Sequence, residues 1–491
     1  MKVLLINPNS SAINKSWAYK RFCSPIAPLG LCYIAAVLRA GGISVSVFDQ
    51  FANKAENQEL LEFIKKNNHE IIGFSVLTPL VRDVESIVAE IRKINPRCLI
   101  VFGNIHATCF PEEVLRKKSA DIVVRGEGEM TMLEVCARVG RKEGLSGVRG
   151  ISYMENDVIV HNPGRPLLEN LDELPFPAWD LLDLENYRNH PMVSISNIQV
   201  LPLLASRGCK YRCYYCSQDK LYNVARYRSL EKVVDEMEYF YVKMGIKFFG
   251  FCDAYFPFDE ASGLRFCALL KERDLHTKIK WITETRVDKV TPALLKTMKE
   301  SGLHLIMYGI EVGNSRILES LKKGTTLQQA RDAVKEAKRQ GIITQGLFIL
   351  GLPGETEDTC RDTIDFAREL DCDLVKFNIA TPYPGSEFFN DCLKDGAMRV
   401  PESYTSWADW TGVSAGLVYS PEGMPPEKLK HLQRKAMFQF YARAGVIFKH
   451  ITHGTIQLKD IAYGGAWVTF LFFSSLFKFR KSGVTKQRHT N

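Results

Sequence analysis

The sequence predicts an α/β protein: a doubly wound Rossmann-like sheet, then a partial (β/α)6 barrel of the TIM type, then a helical extension. Short apolar or β-branched runs alternate with helical runs twice along the chain, over about 1–145 and 196–400. A proline-rich stretch separates the two series. At 491 residues the chain is too long for one ordinary core, and 46% hydrophobic with 24% charged residues is a globular composition.

In the first domain (1–145) the strands are KVLLIN (2–7), ISVSVFD (43–49), IIGFSVL (71–77), CLIVFGN (98–104) and the start of DIVVRGEGE (121–129). Helical runs lie between them: PLGLCYIAAVLRAGG (28–42), which stops on a glycine pair, then 58–67, 82–94 and a short turn after Pro111. Ligands of such sheets sit beyond the carboxyl ends of the strands. The loops to watch are therefore 8–11, 75–79, 103–108 and 125–129. Neither G-x-x-x-x-G-K-[ST] nor G-x-G-x-x-G follows the first strand, so a nucleotide-phosphate cradle is missing.

Residues 146–195 read as a linker with hairpin character carrying Pro163, Pro166, Pro175, Pro177 and Pro191, whose ELPFPAWDLLD run suits an extended connector. The second domain (196–400) places strands at 199–206, 247–253, 278–285, 303–311, 344–351 and 374–380, bridged by helices. Chemistry in such barrels lies at the carboxyl ends of the strands. The remainder (401–491) is helical and ends in AYGGAWVTFLFFSSLFKF (462–479). With one charge in 18 residues, this run is at the short limit for a span. The 462–481 segment suits peripheral contact with a membrane surface or packing on the protein itself.

The net charge of +8 is modest, and part of it clusters at Lys478, Arg480, Lys481, Lys486 and Arg488. That distribution fits an anionic lipid surface and gives no nucleic-acid footprint. Residues 1–7 read as a strand and not as a secretory signal. Thirteen cysteines at irregular spacing do not form a disulfide framework, so a reducing cytoplasm is expected, with most thiols acting as small buried hydrophobes.

Three cysteines break that pattern. SRGCKYRCYYCSQ sets Cys209, Cys213 and Cys216 in a C-x3-C-x2-C array just after a strand. Chance alone gives this spacing in about 1% of chains of such composition. Zinc wants a fourth Cys or His at short spacing, and the next cysteine is Cys252. Three thiolates on one loop suit three irons of a 4Fe–4S cubane, leaving the fourth iron open.

This array, with Tyr215 before its last cysteine, resembles the signature of the radical S-adenosylmethionine (SAM) superfamily. The resemblance implies an enzyme in which SAM chelates the open iron and is cleaved reductively to a 5′-deoxyadenosyl radical. It also implies an external electron donor such as flavodoxin or ferredoxin. Later motifs resemble the family's in order: TETRVD with Arg286, YGIEVGN with Glu311, and GLFILGLPGET with Gly346, Gly351 and Gly354, all implied SAM contacts. TPYPGS (381–386) follows in turn.

The first domain resembles that of cobalamin-binding radical SAM proteins, a group that includes methylases and the anaerobic magnesium-protoporphyrin monomethyl ester cyclase. Ser75, Leu77, Thr78 and Gly103 fall at the implied cobalamin positions. The D-x-H-x-x-G of axial-histidine modules is absent, and NPNSSAINK follows the first strand. Cobalamin is therefore expected without the usual axial histidine, His106 being the nearest candidate. The resemblance implies methylation or another modification of an unactivated carbon in a small-molecule or lipid-like substrate. The alternatives are cobalamin-independent cyclisation or carbon–carbon coupling, and a non-catalytic iron–sulfur protein.

Overall fold

The computed structural model describes residues 1–9, 25–188, 199–218, 222, 224–398 and 417–446. The N-terminal sheet is built from β1 (Lys2–Asn7), β2 (Ser44–Asp49), β3 (Ile71–Ser75), β4 (Leu99–Gly103) and β5 (Ile122–Val124). All five are parallel, in the order β2-β1-β3-β4-β5. Connections run outward on both sides of β1, so the switch point of the sheet lies between β1 and β3. Helices α1 (Leu29–Ala40), α2 (Asn57–Asn67), α3 (Val81–Ile94), α4 (Asn104–Cys109), α5 (Pro111–Arg116) and α6 (Glu129–Gly140) complete the domain.

Strand alternation divides the domain's core into two. Leu4, Ile6, Ile72 and Phe74 pack with α2 and α3 through Leu60, Ile64, Val84 and Ile87. Val3, Leu5, Ile71 and Val101 pack with α1 and α6 through Leu31, Ala35, Met132 and Val135. Because both faces are covered, these strands read as continuous apolar runs.

The start of the linker takes up the hairpin character of its sequence. β6 (Ile151–Glu155) and β7 (Val158–His161) form a hairpin that extends the N-terminal sheet antiparallel from β5. Its turn residues Asn156 and Asp157 have φ of 49° and 62°. That left-handed pair is what a tight two-residue hairpin demands, and Asn and Asp tolerate it.

The second sheet contains β8 (Leu201–Leu203), β11 (Phe248–Phe251), β12 (Lys280–Arg286), β13 (Leu303–Glu311), β14 (Ile343–Leu350) and β15 (Leu374–Ile379). These six are parallel and sequential from β8 to β15, an open barrel as expected. A separate two-stranded ribbon joins β9 (Ser206–Arg207) to β10 (Arg226–Tyr227). The outer helices are α7 (Leu230–Met244), α8 (Glu260–Glu272), α9 (Pro292–Glu300), α10 (Ser315–Ser320), α11 (Leu327–Arg339), α12 (Glu357–Leu370) and α13 (Glu387–Lys394). Capping boxes at Asp259–Ser262, Thr326–Gln329 and Thr356–Thr359 start three of them.

Outside the strands, Trp281, Phe266, Phe256 and Phe251 form an edge-to-face and stacked cluster. Inside, Ile282, Leu305 and Leu374 plug the lower lumen together with Phe248 and Ile343. The C-terminal helix α14 (Pro426–Tyr441) closes that end, where the Tyr441 hydroxyl meets Val375 N and O at 3.0 and 2.8 Å. The apolar segment 462–481 lies outside the described residues; among those, no helix is long and apolar enough to cross a membrane.

Candidate cofactor site between the facing sheet ends

The cysteine loop is fixed at both of its ends. Asp253, just after β11, accepts hydrogen bonds from Ala205 N at 3.1 Å and Ser206 Oγ at 2.5 Å. Burial raises its carboxyl to about 7, against the pull of those hydrogen bonds. Gly208 follows at φ 84°, and a β-carbon there would run into the Val224 carbonyl, so this bend needs glycine. Farther on, Tyr214 N donates to Leu321 O and Cys216 N to Cys213 O, both at 3.0 Å.

Cys209, Cys213 and Cys216 are half-buried and free of disulfides. Burial pushes the Cys213 and Cys216 thiols up, while Lys323 and then Arg286 draw Cys213 back down. Among the described residues no three His, Cys, Asp or Glu side chains converge on one metal ion. The loop is thus not drawn up around a single ion, whereas a cubane takes each thiolate at a separate corner. Three soft donors beside two cations fit such a cluster.

Glu311 ends β13 with φ of 71°, a left-handed conformation that is uncommon outside glycine. It pairs with Lys323 Nζ at 2.5 Å and accepts from the Tyr215 hydroxyl. A β-carbon on Gly309 would lie 2.7 Å from both Glu311 Oε1 and Lys323 Nζ, so that glycine makes room for the pair. Lys323 went unrecognised in the sequence because it sits on the loop after α10, outside any strand motif.

Arg286 is held by its neighbours. It donates to Asp288 Oδ1 and to Lys323 O, both at 2.8 Å, and its guanidinium lies 3.7 Å from the Tyr211 ring centre. It therefore braces the cysteine loop against the Lys323 loop. The three glycines differ. Gly346 lies on the outer face of β14, where a β-carbon would strike the Phe348 ring. Gly351, at φ 87°, abuts Leu429 of α14, and its amide and that of Leu352 donate to Glu355 Oε2 at 2.6 and 2.8 Å. Only Gly354 has nothing nearer than Ile317 at 3.9 Å. Outer packing accounts for the missing β-carbon at Gly346 and Gly351.

At the N-terminal sheet the expected residues gather at the ends of β3 and β4. The Ser75 hydroxyl accepts from Asn104 Nδ2 at 2.9 Å. Leu77 is 45% exposed, and buried Thr78 has no partner for its Oγ1. A β-carbon on Gly103 would meet no atom within 4 Å. Backbone, small side chains and open space suit the flat face of a corrin. His106, on α4, lies fully buried against the Phe110 ring, 5.1 Å between centres, and burial lowers its pKa to about 4. It does not reach that surface.

A buried ion network joins the two sheet ends. Glu127 accepts from Arg207 Nη1 at 2.9 Å and from Arg226 Nη2 at 2.8 Å, while Glu129 pairs with Arg207 Nη2. Arg207 also lies over the Tyr33 ring of α1, 5.6 Å from its centre. Since Arg207 stands two residues before Cys209, the RGEGE loop of the first domain grips the start of the cysteine loop. The sequence showed RGEGE but not its partner, which is 80 residues away.

The model of the radical SAM superfamily matches residues 203–367, and that of the B12 binding domain matches 22–136. An uncharacterized methyltransferase of Pyrococcus horikoshii is 33% identical over 94% of this chain and 97% of its own length. The anaerobic magnesium-protoporphyrin IX monomethyl ester cyclase of Rubrivivax gelatinosus is 31% identical, over 80% and 70%. The chain belongs to the radical SAM enzymes that carry a B12-binding domain, whose cofactors are a 4Fe–4S cluster, SAM and cobalamin. Its fold is that of the radical SAM methyltransferase TsrM from Kitasatospora setae, with a TM-score of 0.69 at 18% identity, covering 94% of this chain and 89% of that one.

Proposed function

We propose that this enzyme methylates an unactivated carbon of a small molecule, using SAM and cobalamin held between the two facing sheet ends. The observation that carries this reading is the Glu127–Arg207 bridge, which fastens the B12-type cleft to the cysteine loop. When bound, the cluster and corrinoid supply electron and methyl transfer respectively.

The residues do the rest. Cys209, Cys213 and Cys216 hold the cluster, and Gly208 bends the chain so that all three thiols lie on one loop. Glu311 and Lys323, already paired, offer one carboxylate and one ammonium to a zwitterionic ligand such as the methionyl end of SAM. Tyr215 keeps the Glu311 carboxylate oriented through its hydroxyl. Arg286 holds Tyr211 and the Lys323 loop still. Ser75, Leu77, Thr78 and Gly103 would form the corrin-facing floor, and among the described residues the nearby His106 is buried away from it.

Anaerobic reconstitution with iron, sulfide and hydroxocobalamin, followed by SAM and dithionite, tests this. Both S-adenosylhomocysteine and 5′-deoxyadenosine are expected. Formation of 5′-deoxyadenosine alone, with no bound corrinoid, would move the function to cobalamin-independent cyclisation or carbon–carbon coupling; of these, cyclisation is the reaction class in the Rubrivivax relative's name.

A further inference from the structure

Inside the barrel, below Glu311, strand alternation leaves a ring of side chains with no role so far. On β12 Trp281 packs in the outer core, so Ile282 and Glu284 face inward, where Ile282 joins the plug. Gly250 pairs with Ile282, Glu284 with Met307, and Met307 with Gln345. Cys252, two residues beyond Gly250, is therefore level with Glu284. Lys376 and Asn378 follow Leu374 on the inward side of β15.

Two acceptors in this ring are unsatisfied. Gln345 is 9% exposed, and its Oε1 has no hydrogen-bond partner. Glu284 is half-buried, and no hydrogen bond steadies its carboxyl among the described residues. Burial, then Glu311, raises it to about 7, with Lys323 and Lys376 pulling the other way. The Cys252 thiol is open to the lumen at its surface, yet it lies deep enough for burial to push it up to about 12. One buried and one half-buried acceptor, held at strand register above the apolar plug, call for a donor from outside the chain. The wall is charge-balanced, since Glu284 and Glu311 face Lys323 and Lys376, so a charged group finds no surplus counter-ion.

We infer that Glu284 and Gln345 are the inner anchor of the substrate, accepting hydrogen bonds from a neutral hydroxyl or amide N–H group. The plug of Ile282, Leu305 and Leu374 stops the molecule there and leaves its far end towards Glu311 and the cysteine loop. This rests on the barrel being the reaction chamber of the proposed function.

Cys252 is the reporter. In the full chain with its cluster reconstituted, iodoacetamide labelling of Cys252 is followed by peptide mass mapping, with hexan-1-ol, hexanamide or hexanoate as probe. The alcohol and the amide slow labelling, and hexanoate does not. Glu284→Gln and Gln345→Met, each checked for the parent's cluster absorbance and Tm, weaken that protection at least about fivefold. In the parent, protection strengthens from about pH 6 to about pH 8 as Glu284 ionises, and in Glu284→Gln it does not. Better protection by hexanoate would overturn the inference in favour of an anion site at Lys376. Unchanged protection in both variants would also overturn it, water then serving the two acceptors. Reductive cleavage of SAM by the same parent preparation tests the functional reading separately: its failure would sink that reading and leave the labelling result readable.

Discussion

Where the strands of the N-terminal sheet end, the chain offers short side chains, backbone and space, as at Ser75, Thr78 and Gly103. Where the barrel strands end, it offers charges already locked in pairs, Glu311 with Lys323 and Arg286 with Asp288. Both ends face one another across the Glu127–Arg207–Glu129 network. The contrast follows from what each end is built to meet. A broad flat ligand needs area and closeness of approach, whereas a small zwitterion and a cluster need charges whose positions are set beforehand.

The largest effect that would sharpen this comparison lies in the barrel. Replacing any of Cys209, Cys213 or Cys216 with Ala is expected to abolish 5′-deoxyadenosine formation and most cluster absorbance, while Cys267→Ala leaves both intact. Cleavage of SAM by the triple variant would break the assignment. Glu311→Gln should keep the cluster spectrum and lose most SAM affinity, as read by equilibrium dialysis with labelled SAM; normal binding would mean the zwitterion sits elsewhere.

Breaking the bridge comes next. Glu127→Ala strands Arg226, which is 9% exposed, and leaves Arg207 with Glu129 alone. Leaving buried charges unpaired costs about 3–5 kcal/mol, to be seen as a lower thermal-unfolding midpoint. An unchanged midpoint would mean the two sheet ends are held by other contacts.

His106 gives a pH-dependent effect of about 3 kcal/mol. Its folded pKa of about 4 lies below the ordinary histidine value of 6.5. The unfolded chain therefore binds the proton first, and the stability present above 6.5 is lost as pH falls towards 4. Urea midpoints for His106→Phe should show less of this loss, and the corrinoid spectrum should not move. A shifted spectrum would make His106 a ligand after all.

Smallest is Gly103→Ala, expected within about 0.5 kcal/mol of the parent because a β-carbon there meets nothing. Corrinoid retention should nonetheless fall, since the methyl projects into the open space. Full retention would place the corrin away from β4.

How much of this was legible beforehand depended on how local the signal was. C-x3-C-x2-C spans eight residues and needs no fold to be recognised. The alternation of strands and helices gave the six barrel strands to within a few residues, because burial on both faces writes apolar runs directly into the chain. The linker's hairpin character was legible among its prolines, but not that the hairpin at 151–161 would extend the first sheet from β5. Gly346, Gly351 and Gly354 look alike in GLFILGLPGET, yet strand parity and α14 assign the first two to packing.

By itself the sequence determined the two-sheet order, the cysteine array and the absence of a phosphate cradle or a D-x-H-x-x-G motif. These are properties of spacing and composition along the chain. Tertiary structure alone decided that RGEGE holds Arg207, that Lys323 completes Glu311, that His106 turns inward, and that Glu284 and Gln345 share the lumen. Each of those depends on side chains brought together from distant positions, where strand register and burial fix which groups meet and which stay unpaired.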